Sequence, residues 1–143
     1  MVTKLSLERN TDYSMCFGCG PKNPIGLKLG FKWDGKTARA EFTASELYQG
    51  WPSMVHGGII ICLLDEAMSY ATLFEGNLCV TAKIQAKLKS PVPINNRLLI
   101  TSSVTKRTRK LIETEASVSL ADGTTVAEGA GTHYIVNTTG AKP

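Results

Sequence analysis

Long apolar runs are missing from this 143-residue chain; the longest, Ile59 to Leu64, is far shorter than the roughly 20 residues a membrane-crossing helix needs. No membrane partner is therefore expected. An apolar signal core is not seen either, since Met1-Val2-Thr3-Lys4 runs into mixed polar sequence, and the expected location is cytoplasmic. Neither internal repeats nor low-complexity segments occur. The chain holds no phosphate-cradling glycine loop, no serine-hydrolase elbow and no dinucleotide fingerprint, which argues against the nucleotide-hydrolysing, serine-hydrolase and nicotinamide-dependent classes. Charge of one sign is also modest, a net +4, too little for a nucleic-acid track.

What is present fits one ordinary globular domain over 1–143, with 43% hydrophobic and 20% charged residues and enough length to bury a core. Residues 1–24 read as an N-terminal knuckle and loop, and 137–143 as a frayed tail. The basic residues concentrate at Lys106-Arg107-Thr108-Arg109-Lys110. That cluster suits either a small anionic ligand or a solvated hairpin tip. Four cysteines, Cys16, Cys19, Cys62 and Cys79, are expected as thiols in a reducing compartment. Cys16-x-x-Cys19 is half a zinc site, but no second ligand pair has suitable spacing, so no metal is expected; a tight knuckle packed on the first strand is the better reading.

The elements follow from punctuation and period. A strand at about 25–33, the hairpin signal Asp34-Gly35 and a strand over 36–42 come first. Residues 47–55 read as loop, and a helix starts near Gly57 and stops at Gly76. From Val80 the alternation places Val80, Ala82, Ile84, Ala86 and Leu88 on one face and Lys83, Lys87 and Lys89 on the other, a half-buried strand. Strands over 97–108 and 111–120 form a hairpin, with Ile112, Thr114, Ala116, Val118 and Leu120 on one face. After Asp122-Gly123 a last strand runs over 124–136. A helix apolar nearly all round must be surrounded, and a curled antiparallel sheet does this economically. The expected class is α+β.

The chemistry concentrates on that helix. Its start leaves backbone N–H groups unpaired and carries about half a positive charge. Gly57 and Gly58 let a ligand carbonyl come close, which suits an oxyanion developing at an attacked thioester; a plain glycine-rich helix entry is the alternative. Asp65 sits among Leu63, Leu64 and Ala67, where a carboxylate needs a partner or a task. It can act as general base or nucleophile, or serve as a structural acid. Glu66 points about 100° further round the helix and competes for the role. Asp65 lies eight residues beyond Gly57, about 12 Å along the axis. A site using both groups therefore draws them from two subunits, which predicts a homodimer with sites at the interface. His56 either contacts the thioester or water, or fixes its loop by hydrogen bonding. Thr81 can position the attacking water.

His56-Gly57-Gly58, six residues and then Asp65 resemble the acyl-CoA thioesterases of the hotdog-fold superfamily, in the phenylacetate-pathway (PaaI-like) branch. Cys16-Phe17-Gly18-Cys19-Gly20 with Asn23-Pro24-Ile25-Gly26-Leu27 is similar to an N-terminal signature of one subgroup. Gln49-Gly50-Trp51-Pro52 resembles the loop ahead of the helix, and Lys89-Ser90-Pro91-Val92 the end of the first long strand. The resemblance covers about residues 16–136. It implies a curved antiparallel sheet wrapped around one long central helix, paired into dimers and often tetramers. It implies Asp65 as general base or nucleophile, and the Gly57 N–H polarising the carbonyl from the partner subunit. It also implies His56 at the same end of the site and Thr81 holding water. One departure accompanies it: relatives carry an asparagine six residues before the histidine, where this chain has Gly50, with Gln49 beside it.

The expectation is an acyl-CoA thioesterase releasing a free acid and coenzyme A, with no cofactor beyond the substrate's own. Gln49, Gly58 and Glu66 are expected around the substrate, and Arg107 or Arg109 near the nucleotide phosphates. Two alternatives stand beside it: a hotdog enoyl-CoA hydratase or dehydratase, and a non-catalytic acyl-CoA-binding regulator.

Overall fold

Six antiparallel strands form one sheet across a single long helix. The structure, a computed structural model, describes residues 11–138. Strand β1 (Lys32–Trp33) and β2 (Ala38–Thr43) precede helix α1 (Gly57–Phe74), and β3 (Asn77–Leu88), β4 (Arg97–Arg107), β5 (Leu111–Leu120) and β6 (Thr125–Thr138) follow it. Across the sheet the order is β1-β2-β4-β5-β6-β3, so β3, first after the helix, closes one edge against β6 alone.

Helix α1 is apolar because one face is core. Ile60, Leu63, Leu64, Ala67, Met68 and Ala71 are buried at the i, i+3, i+4, i+7 spacing of a helix packed on a sheet. Leu98, Ile100, Ile112, Val118 and Val126 meet them from the strands, all nearly without exposure, each contributing about 1.5–3 kcal/mol of burial. With 18 residues and mean hydropathy 1.4, α1 satisfies the length and composition of a membrane span; packing on the sheet accounts for that composition. Gly76, at φ +90°, ends the helix as expected.

Three expectations need correction. Only Lys32–Trp33 of the first strand finds a partner. Lys28, at φ +52°, breaks the extended run, and the N–H groups of Leu27 and Leu29 bond back to Phe17 and Gly18 of the knuckle. The period of two still holds for side chains: Leu27 and Leu29 are buried, and Phe31 and Trp33 stack on Tyr70 and Phe74 of α1. In β3 the register shifts between Thr81 and Lys83. Ala82 is thus bulged and the single apolar face is split, with Thr81 before the bulge and Ile84 after it turned to the helix. Finally, β6 continues through Asn137 and Thr138, paired with Leu78 and Asn77; of the expected tail, 139–143 lie outside the described residues, as do residues 1–10 of the N-terminal loop.

Candidate active site

Loop 49–56 delivers the chain to the start of α1. Gln49 and Val55 bridge across it, and the Gln49 amide oxygen accepts from the Ser53 N–H at 3.1 Å. That bond holds Ser53 at φ +65°, so Gln49 braces the loop. His56 is the N-cap. Its ring Nδ1 accepts from the Gly58 N–H at 2.9 Å, leaving the proton of the neutral ring on Nε2. The His56 carbonyl receives Ile59 and Ile60. The Gly57 N–H has no partner among the described residues. Of the two glycines, only Gly57 therefore offers a free donor at the positive end of the helix; the Gly58 N–H is committed to His56. A Cβ on Gly58 would meet the His56 ring at 3.0 Å, so glycine here is what lets the cap form. A cleft of about 830 Å³ opens beside this end, lined by Gln49, Met54, His56, Gly57, Leu88 and Val126 among others.

Two turns down the helix lies a different site. Asp65 Oδ1 accepts from the Thr81 hydroxyl at 2.8 Å, Thr81 Oγ1 lies 3.3 Å from His133 Nδ1, and His133 Nε2 lies 2.7 Å from Thr114 Oγ1. A carboxylate only accepts, so Thr81 donates to Asp65 and His133 Nδ1–H donates to Thr81; with the ring neutral, Nε2 then accepts from Thr114. Three donors in series point at one carboxylate oxygen and polarise one another. His133 is fully buried; burial lowers its pKa from the ordinary value, and the Asp65 charge offsets part of that, so the ring is neutral. Gly131 makes room for it, since a Cβ there would lie 2.9 Å from Nε2. Asp65 Oδ2 has no bond among the described residues, and no side-chain oxygen among them is both buried and unpartnered. Oδ2 is thus open to water.

Glu66 turns elsewhere. Cys16 Sγ sits 3.7 Å from its Oε1, and a Cβ on Gly18 would lie 2.4 Å from its carboxyl carbon. The knuckle therefore packs on α1 as well as on residues 27–29, and Glu66, expected at the substrate, faces thiols instead. The cause is the 100° step between adjacent helical residues. Burial raises its pKa above the ordinary glutamate value. The same environment pushes the Cys19 thiol up to about 12. Cys62 and Cys79 are half-buried thiols, raised chiefly by burial as well.

Arg107 bonds Glu75 at 3.0 Å, just past the C-terminal end of α1, and Arg109 is exposed in the turn between β4 and β5. Within one chain neither lines the cleft at Gly57; the lysine lining that cleft is Lys89, paired with Glu128. The structure thus joins Asp65 to Thr81, and Gly57 to His56 and Gln49, but keeps the two groups apart. Sequence reasoning missed His133 and Thr114 as partners of Asp65. A signal existed: Ile112 and Thr114 on the inner face of β5 register with His133 and Gly131 of β6, which puts a histidine on the core side.

A long helix laid across one antiparallel sheet, with a glycine-opened start and a carboxylate on its flank, is the hotdog fold. A family model described as the thioesterase superfamily matches residues 53–127, more than half the chain, and the chain belongs to that family. A solved thioesterase superfamily protein is 26% identical with a TM-score of 0.76; the match covers 80% of this chain and 60% of that one. The chain therefore spans well under two thirds of that relative's length. A hypothetical thioesterase from Streptococcus pneumoniae, crystallised with coenzyme A, shares the fold at 14% identity and TM-score 0.73, covering 77% of this chain and 90% of that one. The E. coli PaaI protein of the phenylacetic acid degradation operon does so at 20% identity and TM-score 0.73, covering 79% and 83%. The streptococcal protein has also been solved with alanine replacing an aspartate and, separately, a threonine sixteen residues further on.

Proposed function

We propose that this protein is a PaaI-like acyl-CoA thioesterase that works as a homodimer, hydrolysing an acyl-CoA to the free acid and coenzyme A. The observation that carries this reading is Asp65: one oxygen is anchored by Thr81 and the other is open, on the flank of a core helix. Anchoring fixes the carboxylate's direction, and the open oxygen either takes a proton from water or attacks the thioester carbon itself. The two substituted positions of the coenzyme A-binding streptococcal protein have the separation of Asp65 and Thr81, sixteen residues.

The oxyanion donor in this reading is the Gly57 N–H of the partner subunit. A two-fold axis that brings Gly57 of each copy to Asp65 of the other passes near Ile61, midway between them. The part-exposed stripe Gly58, Ile61, Cys62, Asp65 and Ser69 then faces its own copy. β3 supports the pairing: a twelve-residue edge strand, hydrogen-bonded on one side only and with Leu88 47% exposed, is the kind of edge a second chain covers. In this reading Arg107 and Arg109 of the subunit that supplies Asp65 meet the nucleotide phosphates. His56 offers Nε2–H, and Gln49 holds the loop, beside the pantetheine arm. The reaction draws on no cofactor, and a reducing, cytoplasmic setting suits the four thiols.

The test is a broad acyl-CoA panel assayed for released thiol, with molecular mass measured in parallel. Turnover of at least one acyl-CoA by a dimer is expected. A protein that binds acyl-CoA and releases no thiol from any member overturns the hydrolytic reading in favour of a regulator. Loss of enoyl absorbance without thiol release assigns it to a hydratase.

A further inference from the structure

Cys16, Cys19 and Glu66 lie together although fifty residues separate the first from the last. One ligand atom from each, two sulfurs and a carboxylate oxygen, falls within 4.8 Å of the others. In a tetrahedral zinc site, two thiolates stand roughly 3.8 Å apart and a thiolate and a carboxylate oxygen roughly 3.6 Å. Cys16 Sγ and Glu66 Oε1 are already at 3.7 Å. The backbone holds this arrangement in place: the Gly20 N–H bonds the Cys16 carbonyl at 2.8 Å and the Cys16 N–H bonds Tyr13 at 3.0 Å. Gly18 is bare where any side chain would strike the Glu66 carboxyl.

Glu66 is part-buried and its carboxylate takes part in none of the ion pairs among the described residues; its neighbours are thiols. Such a carboxylate is costly to bury unless a positive group meets it. Two sulfurs with one oxygen select a borderline-soft ion over magnesium or calcium. The expectation of no metal rested on the lack of a second ligand pair in sequence. The fold supplies a third ligand from α1, and a fourth position is left for water.

We propose that Cys16, Cys19 and Glu66 bind one zinc ion per chain, clamping the N-terminal knuckle onto α1 next to Asp65. The site is independent of the hydrolytic reading. It ties the turn at 16–20 to the helix residue adjoining the candidate base, so the ion holds the covering segment 25–33 in place over Tyr70 and Phe74.

The full chain, reduced and freed of metal by chelator, is titrated with cobalt(II) and then with zinc. The expected result is a near-ultraviolet thiolate-to-cobalt charge-transfer band saturating at one equivalent per chain and displaced by zinc. The Cys16→Ser and Cys19→Ser variants lose at least half of that band. Glu66→Gln, which keeps both thiols and the shape of the side chain, retains the band with at least tenfold weaker affinity. Cys62→Ser and Cys79→Ser leave it unchanged. No saturable band on the wild-type chain at up to millimolar cobalt overturns the proposal, as does a band that survives both knuckle substitutions. The wild-type titration decides the matter even where a knuckle variant fails to fold.

Discussion

Asp65 and Glu66 are neighbours in the chain and opposites in their surroundings. Asp65 looks along the sheet, where Thr81, His133 and Thr114 are ordered into a one-way relay of donors. Glu66 looks away from the sheet at a knuckle that offers thiols and no cation. The first environment anchors one carboxylate oxygen by a hydrogen bond and leaves the other in reach of water. The second raises the carboxyl pKa through burial. One peptide step on a helix separates a carboxylate anchored by Thr81 from one buried against thiols. Position round the helix, and not residue type, decides which acid can do chemistry.

The sharpest way to break this contrast is to neutralise the poised member. Asp65→Asn keeps the Thr81 contact sterically and removes the proposed base, so kcat for thioester hydrolysis should fall by about 10²–10⁴-fold while circular dichroism is unchanged. Activity within threefold of wild type would make Asp65 a structural acid. Next comes the anchor. Thr81→Val deletes a hydrogen bond to a charged group, about 1.5–3 kcal/mol. The expected loss in kcat is about 10–100-fold, with KM little changed and Thr81→Ser restoring most of the rate. A pure KM effect would show that Thr81 binds substrate instead of directing the carboxylate.

How much of this contrast a reader of the sequence can see depends on which force sets each feature. Asp65 and Gly57 are legible because one helix carries both, and helical spacing is fixed. The inward face of β5 is legible because alternation along Ile112, Thr114, Ala116 and Val118 is uninterrupted. β3 is not, since a one-residue bulge at Ala82 inverts the pattern, and nothing local announces it. The partners of both acids are long-range. His133 reaches Thr81 across 52 positions, and Cys16 reaches Glu66 across 50. Cross-strand register and knuckle docking set those contacts, and neither is encoded by spacing. The capping role of His56 is visible in the 2.9 Å bond from the Gly58 N–H to its Nδ1. It leaves Nε2–H over the cleft.

The relay behind Asp65 can be tested through stability. His133 has its pKa lowered in the folded chain by burial. Above the unfolded imidazole value, about 6.5, both states are neutral and stability is unaffected by this group. As pH falls below it, the unfolded chain takes up a proton that the folded chain resists, so stability declines until the lower folded value is reached. Denaturant midpoints should therefore drop as pH falls below about 6.5 in wild type. The drop should shrink in His133→Gln, which also starts lower because a buried donor is left without its partner. Equal slopes for the two proteins would place the titrating group elsewhere.

The knuckle side gives the mildest expectation and has the opposite sign. In chelator-treated protein, Glu66 carries a raised pKa, so its contribution to stability is fully present below the unfolded value of about 4.3 and is lost as pH rises through the folded value. At pH 7 the buried charge opposes folding, and Glu66→Gln removes it. The variant should have a slightly higher Tm than metal-free wild type at pH 7, and the difference should vanish near pH 4. Its kcat should stay within about twofold of wild type, since such a change lies outside the mechanisms that cause large effects. If Glu66→Gln instead cost as much activity as Asp65→Asn, the two acids would act as one coupled unit. The division of roles by helical angle would then be wrong, however different their neighbours.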